Sequence, residues 1–208
     1  MASWSRQDEE ATAHGRASAT GQRLDARAWY SAPMDNFMHE PVPSIVGKLT
    51  ANSDFPVTLE QRDAWIDELM ALKSALHEVD GTILLEFAIP RMGRRADVIV
   101  LARSVVVVIE FKVGAASFDR DAVEQVWDYA LDLKYFHRAS HAAPIVPILV
   151  ATEVPASEQG DLIADKDDVY RPLHVSPADL GAAVRRERFD RDGVLRLDVD
   201  LAAHGRRV

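Results

Sequence analysis

Two charged residues one position apart end an otherwise apolar run, Val105-Val106-Val107-Val108-Ile109-Glu110-Phe111-Lys112. Five β-branched residues in a row favour a strand. The two-residue period of a strand puts Glu110 and Lys112 on one face and Phe111 on the other. A carboxylate and an ammonium then share one small patch. Alone, that pattern is also what a surface ion pair at a strand end looks like, and such a pair contributes little. Asp97 sits inside a second apolar run, residues 96–101, where a carboxylate needs a partner or a cation. Glu86 stands within Ile83-Leu84-Leu85-Glu86-Phe87. If the three runs are neighbouring strands, three carboxylates and one lysine meet near one end of a sheet. Their mutual repulsion calls for a cation. Oxygen-only donors point to Mg²⁺ or Mn²⁺ rather than zinc. Gln125 and Tyr129 are four residues apart, on one helix face. Both are polar without being charged, and suit orienting a phosphate or a water. Arg94 and Arg95, in the basic stretch Arg91-Met92-Gly93-Arg94-Arg95, are either phosphate contacts or solvated turn residues.

The elements that must hold these groups are legible in outline. Residues 59–79 predict a helix, opened by a capping box of Thr58 and Gln61 and carrying the apolar stripe Trp65, Leu69, Leu72, Leu76. Asp80-Gly81 ends it. Strands are expected at 82–89, 96–101 and Val105–Lys112. Their links are short, so they must form an antiparallel meander, since a parallel return needs a long crossover. A helix over about 119–138 follows, then a strand at Ile145–Ala151 covered on both faces. Pro147 belongs near the start of that strand or at a bulge. A polar loop at 153–168, a strand at 169–175 and a helix from Ser176-Pro177 to about 184 complete the order.

The chain has 208 residues, 48% hydrophobic and 27% charged, enough for one domain with its own core plus extensions. It contains no cysteine, which excludes disulfides, thiolate nucleophiles and cysteine-based metal sites. Its seven histidines show no metal-like clustering. A net charge of −9 argues against an indiscriminate grip on nucleic acid but leaves room for a local basic groove. No apolar run approaches membrane-spanning length, and residues 1–21 lack the pattern of a signal peptide, so a cytoplasmic location is expected. The expected division is a disordered segment over 1–24, an extension over 25–57 packing on the core, a domain over 58–184 and a tail over 185–208.

Asp97, then Glu110-Phe111-Lys112, then Gln125-Val126-Trp127-Asp128-Tyr129 resemble the motifs of the PD-(D/E)xK nuclease superfamily. The last string is similar to the QxxxY motif of its RecB-like branch, and Glu86 to an additional upstream acid found in many members. Ala96 stands where the superfamily often has proline. Further strings, Glu86-Phe87-Ala88-Ile89-Pro90-Arg91-Met92-Gly93, Glu110-Phe111-Lys112-Val113-Gly114 and residues 125–133, resemble an N-terminal region of bacterial DUF2075 proteins. Those proteins carry a helicase-like or ATPase domain downstream. Gly47-Lys48-Leu49 lacks the flanking residues of a phosphate-binding loop and is not a nucleotide site.

The resemblance implies a restriction-endonuclease-like core, an α/β fold of order αβββαβ with a mixed sheet flanked by helices. It also implies metal-dependent hydrolysis of nucleic acid, in particular DNA. By position, Asp97, Glu110 and Glu86 would hold Mg²⁺ or Mn²⁺, Lys112 would stabilise the transition state, and Gln125 and Tyr129 would orient water and phosphate. A helicase or ATPase domain is the implied partner. The alternative is a non-cleaving nucleic-acid-binding or adaptor domain working with such a motor.

Overall fold

The computed structural model describes residues 27–89, 93–102, 104–156 and 161–185. The expectations for 1–24 and for the tail after Arg185 lie outside the described residues, as do Arg91 and Met92 of the basic stretch. Chain order is β1 (Tyr30–Pro33), α1 (Met34–His39), α2 (Val42–Asn52), α3 (Leu59–Ala75), β2 (Thr82–Ala88), β3 (Arg95–Ala102), β4 (Val105–Lys112), α4 (Arg120–Phe136), β5 (Ile145–Ala151), β6 (Leu173–Val175) and α5 (Pro177–Val184). This is an α/β fold with one six-stranded mixed sheet, its strands adjacent in chain order. Strands β1 to β4 pair antiparallel. The α4 crossover makes β4 and β5 parallel, and β5 and β6 are parallel as well.

Alternation along the strands builds two cores. Ile83, Leu85, Val98, Val107 and Ile109 face a cluster completed by Phe37, Leu49, Trp65, Leu69 and Leu72. Leu84, Ile99, Val106 and Val108 face a second, completed by Val126, Tyr129 and Leu133 of α4. All seven residues of β5 are buried, because both layers cover it. Residues 30–52 belong to the first of these cores, with Tyr30, Met34, Phe37, Ile45 and Leu49 buried in it. The four-residue β1 is not among the expected strands, because its pairing with β2 is long-range.

Local signals explain where elements start and stop. Thr58 accepts a hydrogen bond from Gln61 N, Asp119 from Ala122 N and Ser176 from Asp179 N, each capping a helix. Helix α3 ends at Ala75, short of the expected 79. At Gly81, φ is +140°, and a Cβ there would lie 1.9 Å from the Leu101 carbonyl oxygen, so only glycine fits the approach. The strand expected over 169–175 is broken. Val169 makes one isolated bridge to Ile145, and β6 proper begins at Leu173, after Pro172, which cannot donate to a ladder.

Pro147 lies third in β5. Ile145, of the same parity, accepts from Tyr170 N on the β6 side. The N–H that Pro147 lacks therefore faces the gap between the Val169 bridge and β6. Among the described residues, no helix is long and apolar enough to cross a membrane.

Candidate functional site

The β3–β4 ladder runs from Ala102↔Val105 to Val98↔Ile109 and then stops. One step on, the Asp97 side chain takes the place of the ladder: Phe111 N donates to Asp97 Oδ2 at 2.7 Å. On the other side of β3, Glu86 falls between the paired positions Leu85↔Val98 and Phe87↔Ala96. Its φ is +53°, in the left-handed region that costs a non-glycine residue about 1 kcal/mol or more. The sheet thus opens where Glu86, Asp97 and Glu110 stand side by side on three adjacent strands.

On the α4 side the site is a closed hydrogen-bond network. Gln125 Nε2 donates to Glu110 Oε1 at 2.6 Å and contacts the Tyr129 hydroxyl at 2.8 Å. Lys112 Nζ donates to Glu110 Oε1 at 3.2 Å and to Gln125 Oε1 at 3.1 Å. The strand period and the four-residue helical spacing together produce this arrangement. Glu110 and Tyr129 are buried, while the Lys112 side chain keeps 31% of its surface exposed.

On the α3 side the carboxyls gather with fewer donors. Trp65, Glu68, Glu86 and Asp97 line a narrow cleft walled by four leucines. Trp65 Nε1 donates to Glu86 Oε1 at 2.8 Å. Glu68 is an addition to the residues expected from the sequence. It lies three residues after Trp65 and four before Leu72, so an acid on the flank of that apolar stripe is the available signal.

The electrostatics follow from burial and crowding. Burial, then the repulsion of Asp97, Glu86 and Glu110, holds the Glu68 carboxyl far above the usual carboxylate range. Burial pushes Glu86 up to about 7, against the opposing pull of the Trp65 hydrogen bond. Asp97 is raised by burial and by Glu110. Glu110 is raised by burial, which outweighs the lowering effect of Lys112.

Glu110 Oε2 is buried and meets no donor. Its neighbour Asp97 is also an acceptor when ionised, so the pair needs either a proton or a cation between its members. The donor set is all oxygen, which suits Mg²⁺ or Mn²⁺. Among the described residues no group of three His, Asp or Glu side chains is placed to hold a metal ion as the structure stands. The fit to such an ion is one of donor chemistry, with one buried carboxylate oxygen left without a partner.

The two arginines separate. Arg94 is exposed, and its charge acts on the Tyr129 hydroxyl. Arg95 turns inward, donating to the backbone carbonyls of Glu86 at 2.7 Å and Arg27 at 3.2 Å, and pairing with Asp54 at 3.3 Å. Trp127, on the same helix as Gln125, is partly buried and makes none of these contacts. No family model, curated protein or solved structure matches the chain.

Proposed function

We propose that the chain is a metal-dependent phosphodiesterase acting on nucleic acid, DNA foremost, built on a restriction-endonuclease-like PD-(D/E)xK core. The observation that carries this reading is the convergence at one opening of the sheet. Asp97, Glu110 and Lys112 stand at strand ends, Gln125 and Tyr129 bond to them from α4, and a buried carboxylate oxygen there has no donor. Asp97, Glu110 and Glu86 would hold Mg²⁺ or Mn²⁺, and Glu68 lines the same cleft as Glu86 and Asp97. When bound there, such a cation would supply an activated water and offset charge on the phosphate.

The other residues have separate tasks. The Lys112 ammonium, partly exposed beside Glu110, meets the negative charge that builds on the phosphate oxygens. Gln125 uses its carbonyl for Lys112 and its amide for Glu110, so it fixes both groups relative to one another. Tyr129 fixes Gln125 in turn. Arg94 is the exposed cation beside this network and contacts backbone phosphate, which carries no sequence information.

The test is cleavage of end-labelled linear and closed-circular DNA, single- and double-stranded, in Mg²⁺ and in Mn²⁺. Lys112→Ala and an EDTA lane serve as controls. Cutting that vanishes in both controls is the expected result, and cutting of linear DNA only would make the enzyme an exonuclease. No cutting in any lane, from folded protein that binds the ion, overturns hydrolysis. It would leave the binding or adaptor role alongside a helicase or ATPase.

A further inference from the structure

Glu86 is held in its unusual conformation from two sides. Its backbone carbonyl accepts from Arg95 at 2.7 Å and its carboxylate from Trp65 at 2.8 Å. Arg95 also lies over the Trp29 ring at 4.5 Å, and Trp29 meets Trp65 edge-on at 6.0 Å. Asp54 pairs with the outer end of Arg95. These contacts form one continuous bracket from the loop before α3, across Arg95 and two indoles, to a single carboxylate.

The direction of that carboxylate is what the bracket decides. Leu84 faces α4, and plain alternation would turn Glu86 to the same side. The positive φ turns it instead to the α3 side, into the cleft with Glu68 and Asp97. A strand residue stays in that backbone region only when its surroundings over-determine it. The two anchors act on different atoms of Glu86, one on the main chain and one on the side chain, so together they over-determine it.

We propose that Trp65 and Arg95 are positioning residues that lock Glu86 into the acid cleft, and that Arg95 works here as a bracket and not as a phosphate contact. The inference rests on the cation-binding reading above for its purpose, but the lock itself can be tested without it. Trp65→Phe keeps the packing and removes the indole donor to the Glu86 carboxylate. Groups that orient a metal-binding carboxylate in this way typically cost about tenfold in metal affinity when lost.

In ¹H–¹⁵N spectra of the metal-free chain, the Trp65 indole N–H, assigned by its absence in Trp65→Phe, should move upfield in Glu86→Ala. Calorimetric Mn²⁺ titration should show an affinity about tenfold weaker in Trp65→Phe, with kcat reduced and KM for DNA unchanged. Arg95→Lys, which cannot reach Glu86, Arg27 and Asp54 together, should weaken Mn²⁺ in the same way. An indole resonance indifferent to Glu86→Ala overturns the lock. So does undiminished Mn²⁺ affinity in folded Trp65→Phe. A wild-type chain that binds no Mn²⁺ but shows the indole shift would overturn the cation reading and leave the lock standing.

Discussion

Helices α3 and α4 are both seventeen residues long, cover opposite faces of the same sheet, and each send polar side chains to the same opening. What they deliver differs. From α4 come Gln125 and Tyr129, which carry no charge and complete the hydrogen bonding of Glu110 Oε1 and Lys112. From α3 come one donor, Trp65, and one more acid, Glu68, set against carboxyls that already repel each other. One helix satisfies the site and the other adds a carboxyl that must hold a proton or meet a cation. The satisfied side sets geometry, and the unsatisfied side stores the drive to bind a cation or a proton.

Removing either of the two central acids should have the largest effect. Asp97→Ala and Glu110→Ala are each expected to lower DNA hydrolysis by at least ~10³-fold while leaving the far-ultraviolet circular dichroism unchanged. Weakened Mn²⁺ binding must accompany that loss. Unchanged Mn²⁺ affinity in both variants would show that the charge is not there for a metal.

Proton uptake on the loaded side is the next effect. Folding raises Glu86 from 4.5 to about 7, so the folded state holds a proton that the unfolded chain releases first. The stability this gives is fully present below pH ~4.5 and is lost as pH rises through about 7. At roughly 1.4 kcal/mol per pH unit, Glu86 alone accounts for a loss on the order of 3 kcal/mol. The melting temperature of metal-free protein, followed from pH 5 to pH 8, should fall and should recover when Mg²⁺ or Mn²⁺ is added at pH 8. A melting temperature that rises across this interval would mean that the ionised carboxyls are compensated by the protein's own cations, and that no charge is left over for a metal.

Glu68→Gln separates the helices directly. It replaces a carboxyl that folding forces to take up a proton with a neutral amide of the same shape. Metal-free melting at pH 8 should rise by about 2–4 °C, corresponding to ~1 kcal/mol, while Mn²⁺ affinity falls about tenfold. Equal effects in opposite directions would tie the stored repulsion to cation binding. On the satisfied side the counterpart is milder. Tyr129→Phe deletes one buried hydrogen bond to Gln125, for a loss of about 1 kcal/mol in urea unfolding and roughly fivefold in hydrolysis. A much larger loss would move Tyr129 from supporting Gln125 to touching substrate.

The α4 side is far more legible in the sequence than the α3 side. Glu110, Lys112, Gln125 and Tyr129 obey the plain periods of strand and helix, so their shared faces follow from the spacing. Strand β4 has the bounds that its β-branched run predicts. Glu68 is hidden by the leucines around it, since an acid beside an apolar stripe is ordinarily just a solvated flank. The orientation of Glu86 is hidden for a different reason: a positive φ overrides alternation, and its anchors Trp65 and Arg95 lie 21 and 9 residues away in sequence. Arg95 looks like a turn residue or phosphate contact because nothing local reveals that Trp29, Asp54 and the Glu86 carbonyl surround it. Strand β1 is four residues long and depends on a partner about fifty residues later, beyond the reach of local propensity.

The linear strand order has a consequence for the life of the molecule in concentrated solution. An open sheet presents two edges, and exposed edges recruit other chains. Here the edge strands are the four-residue β1 and the three-residue β6. The β1 edge ends in Pro33, which has no N–H to offer. The segment with the strongest self-associating character, Val105 to Ile109 in β4, is held between β3 and β5 with every residue buried. Aggregation should therefore wait for the sheet itself to open. Turbidity on slow heating should begin with the loss of circular dichroism and not ahead of it.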